Sequence, residues 1–295
     1  MDYVENSSGK KIYVDPRDSR GGALVASGGD FNPHSLELWN IGLAQFDWHT
    51  VIDVGFNYGE MLVSANLPAA AQLFAFEPNP RVLPFSKKTL SEFGRPVTLI
   101  ESAVSDHVGG SVPFSVDLDW SGTSGLTEDG QPPASGAGHS FTSVTVPVTT
   151  LDATFVPLNP PNVAIKIDVE GHEMSVLSGA AGLLGHVAKS LVMLEILHMG
   201  EENIALLAAK HRVFVLHGPS GKIVRVPGRL DALRKVISHP DVYPQDALLL
   251  SHPQDFTAAM IPFSEVRRQF RQSQPPRNSF LRKVVRRLKR VLAAR

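Results

Sequence analysis

The chain has 295 residues, 43% of them hydrophobic and 19% charged, a composition that fits a folded globular protein and excludes wholesale disorder. It has no cysteine, which excludes disulfides, thiolate zinc sites and a cysteine nucleophile. The net charge of −1 hides a split: residues 267–295 hold 11 of the 28 Lys and Arg and no acid, so an acidic body precedes a basic tail. No run reaches the ~18 uninterrupted apolar residues of a membrane span. The polar residues 1–11 lack an apolar core, so no signal peptide is expected.

Residues 1–32 are polar and Gly-rich, with one short strand expected at Lys11–Val14. Over 33–46, Leu36, Trp39, Ile41 and Leu43 follow one helical face behind a possible Asn32 cap. Residues 50–55 read as a buried strand stopping at a glycine, 58–66 as a helix, and 73–76 as a strand ending in Glu77-Pro-Asn-Pro80. A helix over 82–93 and a strand over 97–100 follow. The alternation then breaks. Strands over 111–116 and 143–149 flank a Gly/Ser/Pro-rich stretch at 121–138, which predicts an inserted hairpin within 109–150. Alternation resumes with a strand at 163–167, a helix at 172–184, a strand at 191–197 and a helix at Glu201–Lys210. Strands at 212–216 and 223–226, joined by Gly218-Pro-Ser-Gly221, predict an antiparallel pair, and 247–251 is the last strand.

This order predicts an α/β fold: a doubly wound, mostly parallel, seven-stranded Rossmann-like sheet with an antiparallel strand near the C-terminal end. Three segments are expected: 1–49 on the substrate side, 50–260 as the main domain, and 261–295 as a basic amphipathic tail.

Three motifs carry chemistry. Asp53-Val-Gly55-Phe-Asn57-Tyr-Gly59 sits where the first strand of the alternation turns into its helix. Glycines there let backbone approach a ligand, and a helix start offers free N–H groups. The spacing is not G-x-G-x-x-G, and an acid two residues before the first glycine suits a cationic amine better than a pyrophosphate. The plain alternative is a tight turn without a ligand. Glu77 follows Asp53 by 24 residues, a distance at which an acid commonly takes ribose hydroxyls. Lys166-Ile-Asp168-Val-Glu170-Gly-His172-Glu173 packs ionisable groups at a strand's C-terminal end, where open α/β sheets bind ligands. Asp168 and Glu195 end neighbouring strands and offer oxygens to a hard cation. No further ligand is obvious, and no metal is expected.

Together with the first motif, Phe74-Ala-Phe-Glu77-Pro-Asn-Pro80, Ala103-Val-Ser-Asp106, Thr150-Leu-Asp152, Ile165-Lys-Ile-Asp-Val-Glu-Gly171-x-Glu173, Val176-Leu-Ser-Gly179 and Leu191-x-x-Leu-Glu195 resemble, in this order, the FkbM family of methyltransferases. The resemblance covers about residues 50–200 and leaves 1–32 and 267–295 outside. Phe56 stands where the family usually has alanine, which is expected to crowd the cofactor loop. The resemblance implies a class I methyltransferase fold with S-adenosylmethionine as cofactor. It implies Gly55, Asn57 and Gly59 at the methionine end, Asp53 and Asp168 near the amino group and sulfonium, Glu77 on the ribose, and Ser102 and Ala103 beside the adenine. It also implies O-methylation of a hydroxyl on a sugar, glycan or secondary metabolite.

Such a transfer must remove an alcohol proton, and the candidate bases are His172, Asp168, Glu173, Glu195 and His198. His172 leads, because an ordinary imidazole pKa of ~6.5 suits a base near neutrality. A helix-start hydrogen bond is the plainer reading of each histidine taken singly. Trp39, Trp48 and Trp120 offer stacking faces, with core packing the plainer role of the first two. The rival enzyme is an NAD-dependent oxidoreductase, disfavoured by the missing G-x-G-x-x-G. The non-enzymatic rival is a Rossmann-like binding module docking through its tail. In residues 279–295, Phe280, Leu281, Val284, Val285, Leu288, Val291 and Leu292 recur at helical spacing among Lys and Arg. That pattern predicts peripheral contact with an anionic membrane, with no specific nucleic acid partner. The expected location is the cytoplasm, at or near the inner membrane surface. The sequence leaves the acceptor and the oligomeric state open.

Overall fold

The computed structural model describes residues 2–126 and 138–273. The described residues fall into two compact units, the first ending at residue 260 and the second beginning at residue 261. The first begins with an antiparallel pair, β1 (Asp2–Glu5) and β2 (Lys11–Val14). Then comes α1 (Ser19–Ala26), whose first turn is capped by the Asp18 carboxylate accepting from the Arg20 N–H. α2 (Pro33–Leu43) starts on a proline, where a missing N–H costs nothing. It buries Leu38, Trp39 and Leu43, and Trp48 joins them in the core.

The alternating part runs β3 (Thr50–Val54), α3 (Glu60–Ser64), β4 (Gln72–Phe76), α4 (Leu83–Glu92) and β5 (Val97–Ile100). An insertion follows, made of β6 (Ala103–Val104), β7 (Ser111–Asp117), a 3-10 turn at Ser121–Thr123, β8 (Gly125–Leu126) and β9 (Phe141–Thr149). The chain returns through α5 (Leu151–Phe155), β10 (Asn162–Ile167), α6 (Glu173–Ser178), α7 (Ala181–His186) and β11 (Lys189–Glu195). The unit ends with α8 (Glu201–Lys210), β12 (Val213–His217), β13 (Lys222–Val226), α9 (Leu230–Ile237) and β14 (Val242–Leu250). In the second unit α10 (Phe263–Ser273) is described.

The main sheet has eight strands in the order β13-β12-β14-β11-β10-β3-β4-β5. β11 through β5 are mutually parallel; β14 is antiparallel to both neighbours, and β13 is antiparallel to β12. The sheet has one strand more than the expected seven, although each of its eight strands matches an expected segment; β13 folds back on β12 as predicted, through the Gly218–Ser220 turn and Gly221, whose φ is +57°. β3 and β10 are buried at every residue, as central strands covered on both faces are, including the facing Asp53 and Lys166. The inserted hairpin forms a second sheet, order β6-β9-β7-β8, with β7 and β9 antiparallel.

Several local outcomes depart from the sequence pattern. α1, α5 and α9 lie where no helix is expected, and β1 lies where no strand is. The predicted helix over 172–184 is broken into α6 and α7 at Gly179. A Cβ there would lie 2.0 Å from the Ser105 carbonyl oxygen, so the chain passes too close to a loop for a continuous helix face. The Asp152 carboxylate then starts α7 by accepting from the Gly182 and Leu183 N–H groups at 2.9 and 2.7 Å. The tail predicted over 279–295 lies outside the described residues.

Candidate active site

From β3 the chain winds outward to β4 and β5, then returns to lay β10 and β11 on the other side. Strand order reverses between β3 and β10, and the crevice at such a switch point is where open sheets bind ligands. A cavity of about 310 Å³ opens there, within the ~300–1,000 Å³ range of small-molecule sites.

The turn after β3 forms one wall. Gly55, Asn57 and Gly59 all have positive φ, at +82°, +50° and +91°. Gly55 is required twice over, because a Cβ there would also lie 1.9 Å from the Asp168 carbonyl oxygen. Phe56 does not crowd the cavity. Its side chain is buried beneath Gly59, whose own Cβ would meet that ring at 2.2 Å. The next wall is Glu77. Its Oε2 accepts from the Asn57 N–H at 2.6 Å and its Oε1 from the Asn79 N–H at 2.7 Å, so one buried carboxylate joins two loops. Burial pushes this carboxyl up to about 7, against the two N–H donors that favour its ionised form. Ser102 and Ala103 also line the cavity, as do Phe114 and the Trp120–Leu126 stretch of the insertion.

Asp53 does not reach the wall. It lies beneath the turn, 2% exposed, with its Oδ1 3.1 Å from Lys166 Nζ. The two are direct partners across β3 and β10, so the pleat aims them to the same side. Lys166 Nζ also donates to the Gly55 carbonyl at 2.9 Å and lies 3.5 Å from Asp168 Oδ2. Burial still pushes the Asp53 carboxyl up to about 6.

Much of the remaining lining is ionisable: Asp168, next to the Gly55 turn, with Glu170, His172, Glu195 and His198. His172 Nε2 lies 2.9 Å from the Ser105 hydroxyl. Glu173 is buried and spends Oε1 on the Val169 and Gly171 N–H groups, at 3.2 and 3.1 Å, which shapes the turn rather than the wall. Glu195 sits opposite Asp246 across β11 and β14. Burial, then the charges of Asp168, Glu170 and Asp246, push the Glu195 carboxyl up to about 9. Glu170, Glu195 and His198 bring ligand-type atoms within 4.8 Å of one another, a grouping the sequence analysis did not anticipate because Glu170 was given no role.

Folded Glu195 therefore keeps its proton far above the ~4.3 of an unfolded glutamate. The folded state binds more protons between those values, so this group's contribution to stability is full below about pH 4 and is lost as pH rises towards 9. Glu195→Gln is expected to raise the melting temperature at pH 9 and to leave it nearly unchanged at pH 5, at about 2–4 °C per kcal/mol recovered. Equal shifts at both pH values would remove this carboxyl from the pH dependence.

The structure thus gathers Gly55, Asn57, Glu77, Ser102, Ala103, Asp168, His172, Glu195 and His198 around one cavity. It leaves Asp53, Gly59 and Glu173 behind the wall. It adds Arg20, Phe31, Asn32 and Gln245, which the sequence reading missed. The available signal for Arg20 was Asp18, a helix-capping residue type directly before Ser-Arg-Gly-Gly-Ala-Leu-Val-Ala.

Residues 53–217 match the model of the methyltransferase FkbM domain. The chain belongs to the FkbM methyltransferase family. It is an S-adenosylmethionine-dependent methyltransferase on a class I fold. Among solved structures it is similar to the precorrin-6y C5,15-methyltransferase of Geobacter metallireducens, at 17% identity over 61% of this chain and 73% of that one, with a TM-score of 0.35. It is also similar to an rRNA methylase of Streptococcus thermophilus, at 11% identity over 72% and 92% of the two chains, with a TM-score of 0.36. No curated protein matches the chain.

The donor set fits this cofactor. The cavity offers a carboxylate for paired hydroxyls, small residues for a flat base, and both a carboxylate and a guanidinium for a zwitterionic amino acid. Glu77→Ala is expected to weaken S-adenosylhomocysteine binding by ~1.5–3 kcal/mol, the scale of hydrogen bonds to a charged group. Calorimetry on the folded variant checks this, and unchanged affinity would take Glu77 out of the site.

Proposed function

We propose that this methyltransferase modifies a hydroxyl oxygen of a small-molecule or glycan acceptor, such as a sugar or secondary metabolite. The observation that carries the reading is the mixed lining of the cavity. Backbone, Glu77 and small residues line it together with His172, Glu195 and His198, and so do the Phe31 and Trp120 rings, whose centroids lie 5.9 Å apart. The cofactor, when bound, supplies an already activated methyl group on a sulfonium.

In this reading Gly55 and Asn57 hold the methionine end, Glu77 the ribose, and Ser102 and Ala103 the adenine. Asp168 faces the amino group, and Asp53 acts from behind through Lys166. His172 takes the acceptor's proton, with its ring oriented by Ser105. His198 is the second candidate. Burial and the neighbouring acids favour the protonated form of Glu195, which suits it to donate a hydrogen bond to the acceptor rather than to serve as base. Alignment of hydroxyl and methyl supplies up to ~7–11 kcal/mol, and the base ~10²–10⁴-fold.

The test is methyl transfer to a panel of glycosides and polyketide alcohols, each paired with its deoxy analogue. His172→Asn is expected to lower turnover ~10²–10⁴-fold at unchanged S-adenosylhomocysteine affinity. Transfer that persists on the deoxy analogues would overturn O-methylation. The reading routes no step through a metal, so transfer is expected to continue in EDTA. Loss restored by magnesium would assign a cation to Glu170, Glu195 and His198.

A membrane-facing tail is the second part of the reading. α10 exposes Arg267, Arg268 and Arg271, which add basic charge ahead of that segment, while its Val266 is buried. No helix among the described residues is long and apolar enough to cross a membrane. Each basic group near an anionic surface contributes ~1 kcal/mol. Deleting residues 277–295 is expected to abolish sedimentation with anionic vesicles while leaving cofactor affinity unchanged. A fall in oligomeric state without any vesicle binding by the full chain would make the tail a subunit contact instead.

A further inference from the structure

The cavity wall holds a single Lys or Arg among the described residues, and it comes from outside the family-matched span. That residue is Arg20, on α1. Its side chain is 11% exposed. One guanidinium nitrogen donates to Asn57 Oδ1 at 3.0 Å, and the other pairs with the Glu60 carboxylate. The guanidinium carbon lies 5.9 Å from the Phe31 ring centroid and 6.0 Å from that of Tyr58. A Cβ on Gly122 would meet the Arg20 Cδ at 2.8 Å, so the insertion turn packs directly on its stem.

The helix carrying Arg20 is itself tied down. Asp18 Oδ2 accepts from the Tyr58 hydroxyl at 2.6 Å and Oδ1 from the Ser121 N–H at 2.9 Å. The cation is therefore held beside Asn57 before any ligand arrives. The rest of the wall presents Glu77, Asp168, Glu170 and Glu195. A cofactor carboxylate entering such a cavity must shed water while facing acids, which is unfavourable without a cation partner. A guanidinium has five donors, and two are used here, which leaves capacity for a carboxylate.

We infer that Arg20 binds the carboxylate of the cofactor's methionine moiety, so that the N-terminal segment completes the cofactor site. This rests on the placement of the methionine end at Gly55 and Asn57. Asp168 and Arg20 then divide the zwitterion between them, ammonium to the acid and carboxylate to the guanidinium.

The experiment compares two ligands by calorimetry: S-adenosylhomocysteine, and 5′-methylthioadenosine, which keeps the nucleoside and lacks the amino acid. Arg20→Met is expected to weaken the first ~10–100-fold and to leave the second within about twofold. Removing Arg20 leaves Glu60 buried without its partner, so the same measurements on Arg20→Met/Glu60→Gln guard against simple misfolding. An equal loss for both ligands would mean that Arg20 only shapes the Asn57 loop, and an unchanged S-adenosylhomocysteine affinity would also overturn the inference. Glu77→Ala serves as the control and should weaken both ligands. If Glu77→Ala weakens neither, the cofactor placement itself is wrong; if it weakens both while Arg20→Met weakens neither, the Arg20 inference alone falls.

Discussion

Gly55→Ala is expected to abolish cofactor binding and to destabilise the fold by roughly 2–5 kcal/mol, summing overpacking and a left-handed alanine. Both causes act at one atom. The Cβ would lie 1.9 Å from the Asp168 carbonyl oxygen, and the backbone φ is +82°. The clashing atom is backbone, at the end of a strand directly paired with β3. Relief therefore requires β3 and β10 to part, or the turn after β3 to flip into the cavity. Gly171 separates the two causes. Its φ is +92°, yet nothing lies within 4 Å of a Cβ there, so Gly171→Ala carries only the conformational cost of ~1–2 kcal/mol. Melting temperature and S-adenosylhomocysteine calorimetry on both variants check this. A Gly55→Ala protein no less stable than Gly171→Ala would show that the close approach is absent in solution.

Lys166→Met should destabilise by about 3–5 kcal/mol, the cost of breaking a buried ion pair from one side. Lys166 is 5% exposed and Asp53 2%, so solvent cannot replace the lost partner. Lys166 also donates to the Gly55 carbonyl, which ties this lysine to the turn that lines the cavity. The Asp53 carboxyl, already pushed up to about 6, loses its main lowering influence. The folded state then keeps that proton to still higher pH, so the loss is smallest at pH 5 and grows as pH rises through the range where Asp53 must ionise. Lys166→Met/Asp53→Leu removes both charges and should recover most of the stability, since paired apolar replacement is often neutral. Urea denaturation of the two variants at pH 5 and 8 measures the difference. A single variant as stable as the parent would mean that the pair is solvated.

Strands, helices and the ligand-facing turn were largely legible because apolar periodicity and glycine spacing are local properties. The run around Val51 and Ile52, flanked by Asp53 and Gly55, announces both a buried strand and a turn that needs positive φ. Gly218 to Gly221 likewise announced the return of β13, although the strand total fell one short. What escaped depends on distant pairing. Asp53 looked like a ligand because of its place before the glycine, but its cross-strand neighbour Lys166 claims it. Glu173 looked like a base, but the N–H groups of its own turn occupy it. α1 was invisible because Ser19-Arg-Gly-Gly carries no apolar face in its first turn. Its place beside Asn57 is set by Asp18, Tyr58 and Ser121, residues up to 103 positions apart. Nothing in a local window reports such contacts.

The position of β14 bears on where this chain can be cut for expression. The family match ends at residue 217, yet β14, residues Val242–Leu250, lies between β11 and β12. A fragment trimmed to the match would begin inside β3 and would leave an empty slot in the middle of the sheet. The facing edges of β11 and β12 would then offer open rows of N–H and C=O groups to any passing strand, a standing invitation to aggregate. Borders drawn from the homologous region alone would thus sever the interior of the sheet, and a usable excision must run from before β3 to beyond β14.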